Sequence, residues 1–381
     1  MKFSFYIIIL ISFFSCKNEK ANQLPTSSPS KSLQLKYAKG FSVSEYETYK
    51  IITITKPWPK AKKTYKYLIA TEDALATMTY PRGEYDGVIT YPIENIVVTS
   101  TTHIPSLELL GKENTLVGFP GTDYISSKKT RALIDNGNIR ELGKNEGINT
   151  EVLLEINPDI VVGFGVDGVN KTFETIKKAN IPVIYHGGWV ESSALGKAEW
   201  IKFFGVLFNR EKKADSIFNT IEANYFEAKT LAKNAKNKPT ILSGAMTKDV
   251  WHLPNGNSPE AQFLKDANTE YLWKDSKGNG SLYLSFEAVL KKAKTADIWL
   301  SPSYYRSRKQ LQEANSLYKN FDAFKDGAVY SFTNTVGETG GTLYYELGAA
   351  RPDLILKDLI KIAHPELLED YTPYFFKKFE D

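Results

Sequence analysis

The chain has 381 residues and a formal charge of +4, with 48 Lys and Arg set against 44 Asp and Glu; the two signs are interspersed, so no basic stripe for nucleic acid is present. A single cysteine, Cys16, excludes an internal disulfide and a thiolate metal cluster. With 42% apolar and 13% aromatic residues over this length, two lobes with separate cores are predicted.

Met1-Lys2 leads into an apolar run from Phe3 to Phe14 that stops at Ser15-Cys16. A charged start, a run of roughly a dozen apolar residues and a small residue at the cut read as a lipoprotein-type secretory signal, shorter than the ~20 residues of a membrane span. Residues 1–16 are therefore expected to be a signal ending in a lipidated Cys16, although Phe13 stands where such signals usually carry Leu. Residues 17–32, polar and rich in Ser, Pro, Asn and Lys, read as a flexible tether. The expected protein is a monomer, lipid-anchored in the cell envelope and facing the periplasm of a Gram-negative bacterium.

From residue 33 to 94 apolar and polar residues alternate, as in Tyr49 to Thr55 and Thr64 to Ile69, with Pro57 and Pro59 between; this predicts an antiparallel β extension. Over 95–195 the pattern changes to apolar strands at Ile96-Val97-Val98, Leu116-Val117-Gly118, Ile160-Val161-Val162 and Val183-Ile184-Tyr185, with helical stretches between. That alternation predicts an α/β lobe on a parallel sheet. Residues 196–236 hold no proline and repeat apolar residues at helical spacing (Trp200, Phe203, Phe204, Leu207, Ile217, Ile221, Tyr225), so one linking helix is expected, with a break near Asn209. A second α/β lobe follows over 237–362, with strands at Thr240, Ile298 and Val329, and 363–381 forms a tail.

One unit occurs in both lobes. Asn149-Thr150-Glu151 opens a helix that runs to Asp159 and the strand at Ile160; Ser285-Phe286-Glu287 opens another that runs to Asp297 and the strand at Ile298. Asn149 and Ser285 are good N-caps, placing Glu151 and Glu287 at the second helical position, where a carboxylate meets the positive end of the helix dipole. A dipole role suffices for either alone. The paired occurrence suggests a shared function.

At these residues, and across about Asn95 to Ile362, the chain resembles the substrate-binding proteins of ATP-binding cassette importers that handle iron-siderophore, haem and cobalamin. Asn180-Ile181-Pro182-Val183, Trp200 to Phe208, and Arg351-Pro352-Asp353 with His364-Pro365-Glu366 also carry the resemblance. It implies two lobes on a rigid link, no enzymatic activity, no cofactor, and docking of Glu151 and Glu287 on the two subunits of a permease dimer. It leaves the 33–94 segment without a family role.

In such a fold the ligand lies in the crevice outside the strand ends. The loops there include Thr101-Thr102-His103, His186 to Trp189, Trp251-His252, Ser303 to Arg306 and Gly337 to Tyr345. Aromatic rings and exposed amides suit a ferric siderophore, haem or cobalamin better than a bare ion, which makes His103, Trp189, Trp251, Tyr304, Tyr305 and Arg306 the candidate ligand-binding residues. Four scattered histidines argue against the alternative, a zinc or manganese carrier. Gly163-Phe164-Gly165-Val166-Asp167-Gly168 fits a dinucleotide fingerprint in form, but the next strand ends at Tyr185-His186-Gly187 without the acidic residue that would hold a ribose. No nucleophile elbow is present.

Overall fold

The computed structural model describes residues 28–81, 83–168 and 170–380. Cys16 and most of the tether lie outside the described residues. The end of the expected tether is already structured, because Lys31–Ser32 pairs antiparallel with Phe41–Glu45.

The first lobe is built on five parallel strands in the order Val183–Tyr185, Ile160–Gly163, Ile96–Val98, Leu116–Phe119, Arg140–Glu141. Ile96 to Val98 and Ile160 to Val162 are fully buried, which is why these strands read as continuous apolar runs instead of alternating. The second lobe repeats the plan with Glu270–Tyr271, Thr240–Ser243, Ile298–Leu300, Val329–Ser331 and Lys377–Lys378, the last pairing antiparallel. A three-stranded antiparallel sheet, Ala245–Thr247, Val250–Pro254 and Ser281–Leu284, sits beside it.

The link between lobes has the break expected near Asn209 and a second one at Trp200. It is three helices, Ala194–Glu199, Ile201–Leu207 and Glu211–Ala232. Asn209 turns the chain with φ 52 in the left-handed region, which asparagine tolerates better than most residues. The Glu211–Ala232 helix then packs along Pro352–Ala363 of the second lobe.

The segment expected to be a separate antiparallel extension is a wall of the first lobe. Its strands Phe41–Glu45, Tyr49–Ile54 and Tyr65–Ala70 are antiparallel, but Gly87–Thr90 returns parallel to the last of them, because the helix Glu72–Thr77 supplies a crossover. One face sends Phe41, Val43, Ile52, Ile54, Tyr67 and Ile69 into the same apolar core as the first-lobe sheet. The other face makes a smaller cluster of Tyr49, Leu68 and Ala70 under Leu75 and Met78. The alternation along the sequence is this division between two faces. The backbone N–H of Tyr185, on the outer strand of the first-lobe sheet, donates to Tyr67 Oη at 3.3 Å, so an open edge is covered.

Buried carboxylates hold the N-terminal segment to the link. Glu199, with no exposed surface, accepts the backbone N–H groups of Lys36 (3.0 Å), Tyr37 (2.8 Å) and Ala38 (2.9 Å) and pairs with Lys202 Nζ at 3.1 Å. Glu191 accepts from the N–H groups of Lys39 and Gly40 (both 2.8 Å) and from Trp200 Nε1 (3.0 Å). The tail is held in the same way: Asp358 accepts Tyr371 Oη and the N–H groups of Tyr374, Phe375 and Phe376, while Phe375, Phe376 and Phe379 fill the second core.

Glu199→Ala strands three backbone donors and the buried Lys202, and is expected to cost about 3–5 kcal/mol in urea unfolding. Glu222→Ala removes only the half-exposed contacts to Lys36 Nζ and Tyr37 Oη and is expected to cost under about 1 kcal/mol. Equal losses would show that the carboxylate cradle is not what fixes the N-terminal wall.

Candidate functional site

Between the lobes lie two adjoining chambers of about 290 and 660 Å³. They share Trp189, Lys197, Glu260, Phe263, Tyr344 and Tyr345 in their lining. This is the size and apolar character of a small-molecule site.

On the first-lobe side, the strand Val183–Tyr185 ends in His186-Gly187-Gly188-Trp189. A Cβ on Gly187 would stand 2.1 Å from the carbonyl oxygen of Lys56, so only glycine lets the loop before Pro59 of the N-terminal wall press against this turn. Pro59 itself reaches the larger chamber. Trp189, placed two residues later, stays 40% exposed and faces both chambers.

The second lobe supplies two helix starts. Ser258 caps Pro259–Asp266 through its hydroxyl and so turns Pro259, Glu260 and Phe263 to the cleft. Leu343–Leu347 presents Tyr344, whose ring stacks on Phe332 at 4.1 Å, and Tyr345, 48% exposed. Ser301 lines the larger chamber at a strand end with φ 52, strained backbone of the kind that clusters at binding sites.

The candidate residues divide. Trp189 lines both chambers as expected. Trp251 does not line them: its ring is fully buried, stacks on Trp299 at 5.6 Å and donates Nε1–H to the Ser243 carbonyl. It belongs to a strand whose alternate residues face the second core, which turns Trp251 inward. His103 is likewise displaced, buried behind His186 with ring centroids 4.4 Å apart, because the turn after Ile96–Val98 folds it under the cleft floor. Tyr304 is exposed beside the cleft and hydrogen-bonds Tyr345. Tyr305 and Arg306 line neither chamber, since their carbonyls are tied to Thr333 Oγ1 and Asn334 Nδ2 beyond the strand end. The lining residues not anticipated, Lys197, Pro259, Glu260 and Phe263, stand on helices; the cap signal Ser258-Pro259 was the one sequence mark of their position.

The lobes meet at a fourth buried carboxylate. Glu346, on the Tyr344 helix, accepts the N–H groups of Ser126 (2.6 Å) and Ser127 (2.9 Å) of the first lobe. Burial pushes its carboxyl up to about 7 against the pull of those two donors, and the nearby Glu108 adds to the rise. Gly337 and Gly341 close on the same loop, where a Cβ would come within 2.7 and 2.6 Å of Ser126.

His103 and His186 carry the opposite shift. Burial pushes His103 down to about 3 and His186 well below its ordinary value, His103 adding to the second effect. Gly188 N–H donates to His186 Nδ1 at 3.3 Å, while His186 Nε2 and both nitrogens of His103 have no partner among the described residues.

The glycines of the dinucleotide-like loop have packing roles. A Cβ on Gly163 would meet the Phe173 ring at 2.5 Å, and one on Gly165 the Trp58 ring at 2.6 Å. Glu151 and Glu287 are exposed at the second position of Thr150–Ile156 and Phe286–Ala293, behind the caps Asn149 and Ser285. The Glu287 carboxyl is held below its usual range by its own backbone N–H and by the Ser285 hydroxyl. Neither glutamate forms an ion pair among the described residues.

Two α/β lobes around an apolar cleft define a solute-binding protein. The chain belongs to the periplasmic binding protein family, whose family model matches residues 96–335. A protein named an uncharacterized lipoprotein in Methanocaldococcus jannaschii is 27% identical over 381 residues, covering 95% of this chain and 89% of its own. Among solved structures, a possible iron-binding (periplasmic solute-binding) protein from Staphylococcus epidermidis aligns with a TM-score of 0.57 at 17% identity, over 72% of this chain and 100% of that one. A periplasmic heme binding protein from Pseudomonas aeruginosa aligns with a TM-score of 0.55 at 16% identity, over 76% and 99%. No described helix is long and apolar enough to cross a membrane.

The buried titratable groups predict how stability varies with pH. The two histidines, depressed in the fold, take up about two protons on unfolding between pH 5 and 6, which weakens the fold as pH falls. Glu346, raised in the fold, releases about one, a stabilisation that fades as pH rises through 7. The net contribution is about one proton, or ~1.4 kcal/mol per pH unit. Glu346→Gln removes the opposing proton, so its stability is expected to fall with acid more steeply than wild type by ~1.4 kcal/mol per unit. Parallel slopes in urea unfolding at pH 5, 5.5 and 6 would contradict this.

Proposed function

We propose that this protein is the lipid-anchored substrate-binding component of an ATP-binding cassette importer, and that it captures a large metal complex of the ferric siderophore, haem or cobalamin type between its lobes. The observation that carries the reading is the cleft: an apolar space with the Trp189 and Tyr345 rings half exposed in it, on the fold of a solute-binding family. Among the described residues no cluster of three or more His, Cys, Asp or Glu side chains is placed to hold a bare ion, so the donors to any metal would come from the ligand. The names of the related proteins support the class: the S. epidermidis structure is called iron-binding, the P. aeruginosa one heme binding. That the M. jannaschii relative is named a lipoprotein supports a lipid on Cys16. The envelope location follows from that lipid.

Trp189→Ala and Tyr345→Ala are each expected to weaken the bound complex by about tenfold or more, roughly 2 kcal/mol, in calorimetric titration. Trp251→Ala should instead lower the unfolding midpoint. If both cleft variants bind as wild type does, the ligand sits elsewhere.

Glu151 and Glu287 are the proposed contacts to the permease dimer. Their carboxylates are exposed and unpaired, one on each lobe, so charge-assisted bonds to cationic groups would form only in the complex. A Glu151→Lys, Glu287→Lys variant is expected to keep its ligand affinity and lose about tenfold or more in uptake. Undiminished uptake by the stable double variant would return both residues to helix capping.

A further inference from the structure

The charges of the cleft bear on which solute it takes. Lys197 is the only lysine or arginine that lines either chamber among the described residues. Among the described residues it forms no ion pair, and Glu260, lining the same two chambers, forms none either. Glu191, also on the larger chamber, is a carboxylate already engaged by the N–H groups of Lys39, Gly40 and Trp200. The buried imidazole at the floor, His186, is held neutral. Of the polar groups that remain, the exposed His252 lines the larger chamber, and Ser106, Ser243, Asn279 and Ser301 carry no charge.

We infer that the solute is a near-neutral metal complex, carrying at most one net negative charge and at most one free carboxylate, and presenting amide- or hydroxamate-type groups to the serines and Asn279, with any single acidic group directed to Lys197. This rests on the solute-binding reading above and narrows it. A complex with three negative charges would leave at least two without a counter-cation in an apolar space and would face Glu260 as well. Desolvation and like-charge repulsion both oppose that. Glu260 lines both chambers, so its charge bears on whatever either of them holds. A neutral ligand facing the serines and Asn279 incurs neither penalty.

The test is calorimetric titration of the soluble chain with four probes: cyanocobalamin and ferrichrome, which are near neutral, ferric enterobactin, which carries three negative charges, and haemin, which carries two propionates. Binding of either near-neutral probe about 100-fold or more tighter than ferric enterobactin supports the inference, and which of the two binds tells a corrinoid from a hydroxamate. Glu260→Lys changes the lining from one lysine and two glutamates to two lysines and one glutamate, and is expected to shrink that preference by about tenfold or more. Ferric enterobactin or haemin binding as tightly as the better neutral probe overturns the charge rule and leaves the solute-binding reading intact, as does an unchanged preference in Glu260→Lys. Failure of all four probes to bind overturns the proposed siderophore, haem or cobalamin class of solute and this inference with it.

Discussion

The structure depends on carboxylates withdrawn from water and surrounded by backbone N–H groups. Glu199 and Glu191 sit on and beside the first helix of the link and take five consecutive N–H groups, from Lys36 to Gly40. A buried charge is tolerated only when its hydrogen-bond capacity is filled, and here the chain supplies the donors from a segment about 160 residues away. The contact therefore fixes position as well as charge: the segment enters at one place, in one register. Asp358 does the same for the tail of the second lobe, and Glu346 for the meeting of the two lobes.

With that entry fixed, the N-terminal sheet becomes part of the binding site's support. The sheet seals the outer edge of the first-lobe sheet through Tyr67 and presses the loop ending in Pro59 against Gly187. The turn that presents Trp189 is therefore backed by an element outside the matched family region, 96–335. The M. jannaschii relative aligns with 95% of this chain, so the wall is not peculiar to it.

The cleft combines packed aromatic walls with a polar contact between the lobes. Its aromatic walls stand on packed helices, and the Phe332–Tyr344 stack holds the second-lobe side. The lobe-to-lobe contact at Glu346 is different, because burial raises its carboxyl to about 7 and, among the described residues, it accepts only from the backbone of Ser126 and Ser127. Small glycines at 337 and 341 let that loop approach closely. The lobes are thus held at a polar seam, whereas each lobe is held by apolar cores of its own.

Local pattern by itself determined the two parallel sheets, since strands buried on both faces must be apolar throughout, as Ile96 to Val98 and Ile160 to Val162 are. It also determined the caps at Asn149 and Ser285, because a cap is made within four residues, and the position of Trp189 at a strand end. Contacts distant in sequence were decided only by the tertiary structure. Trp189 follows a strand and stays in the cleft, whereas Trp251 lies within Val250–Pro254, where alternation on a two-faced sheet sends it into a core. His103 went beneath His186 for a similar reason, and Lys197 and Glu260 reached the cleft from helices that no strand-end rule points to. The carboxylate cradles are not visible in the sequence either, because a glutamate looks the same whether its partners are water or, as for Glu199, three backbone amides from another part of the chain.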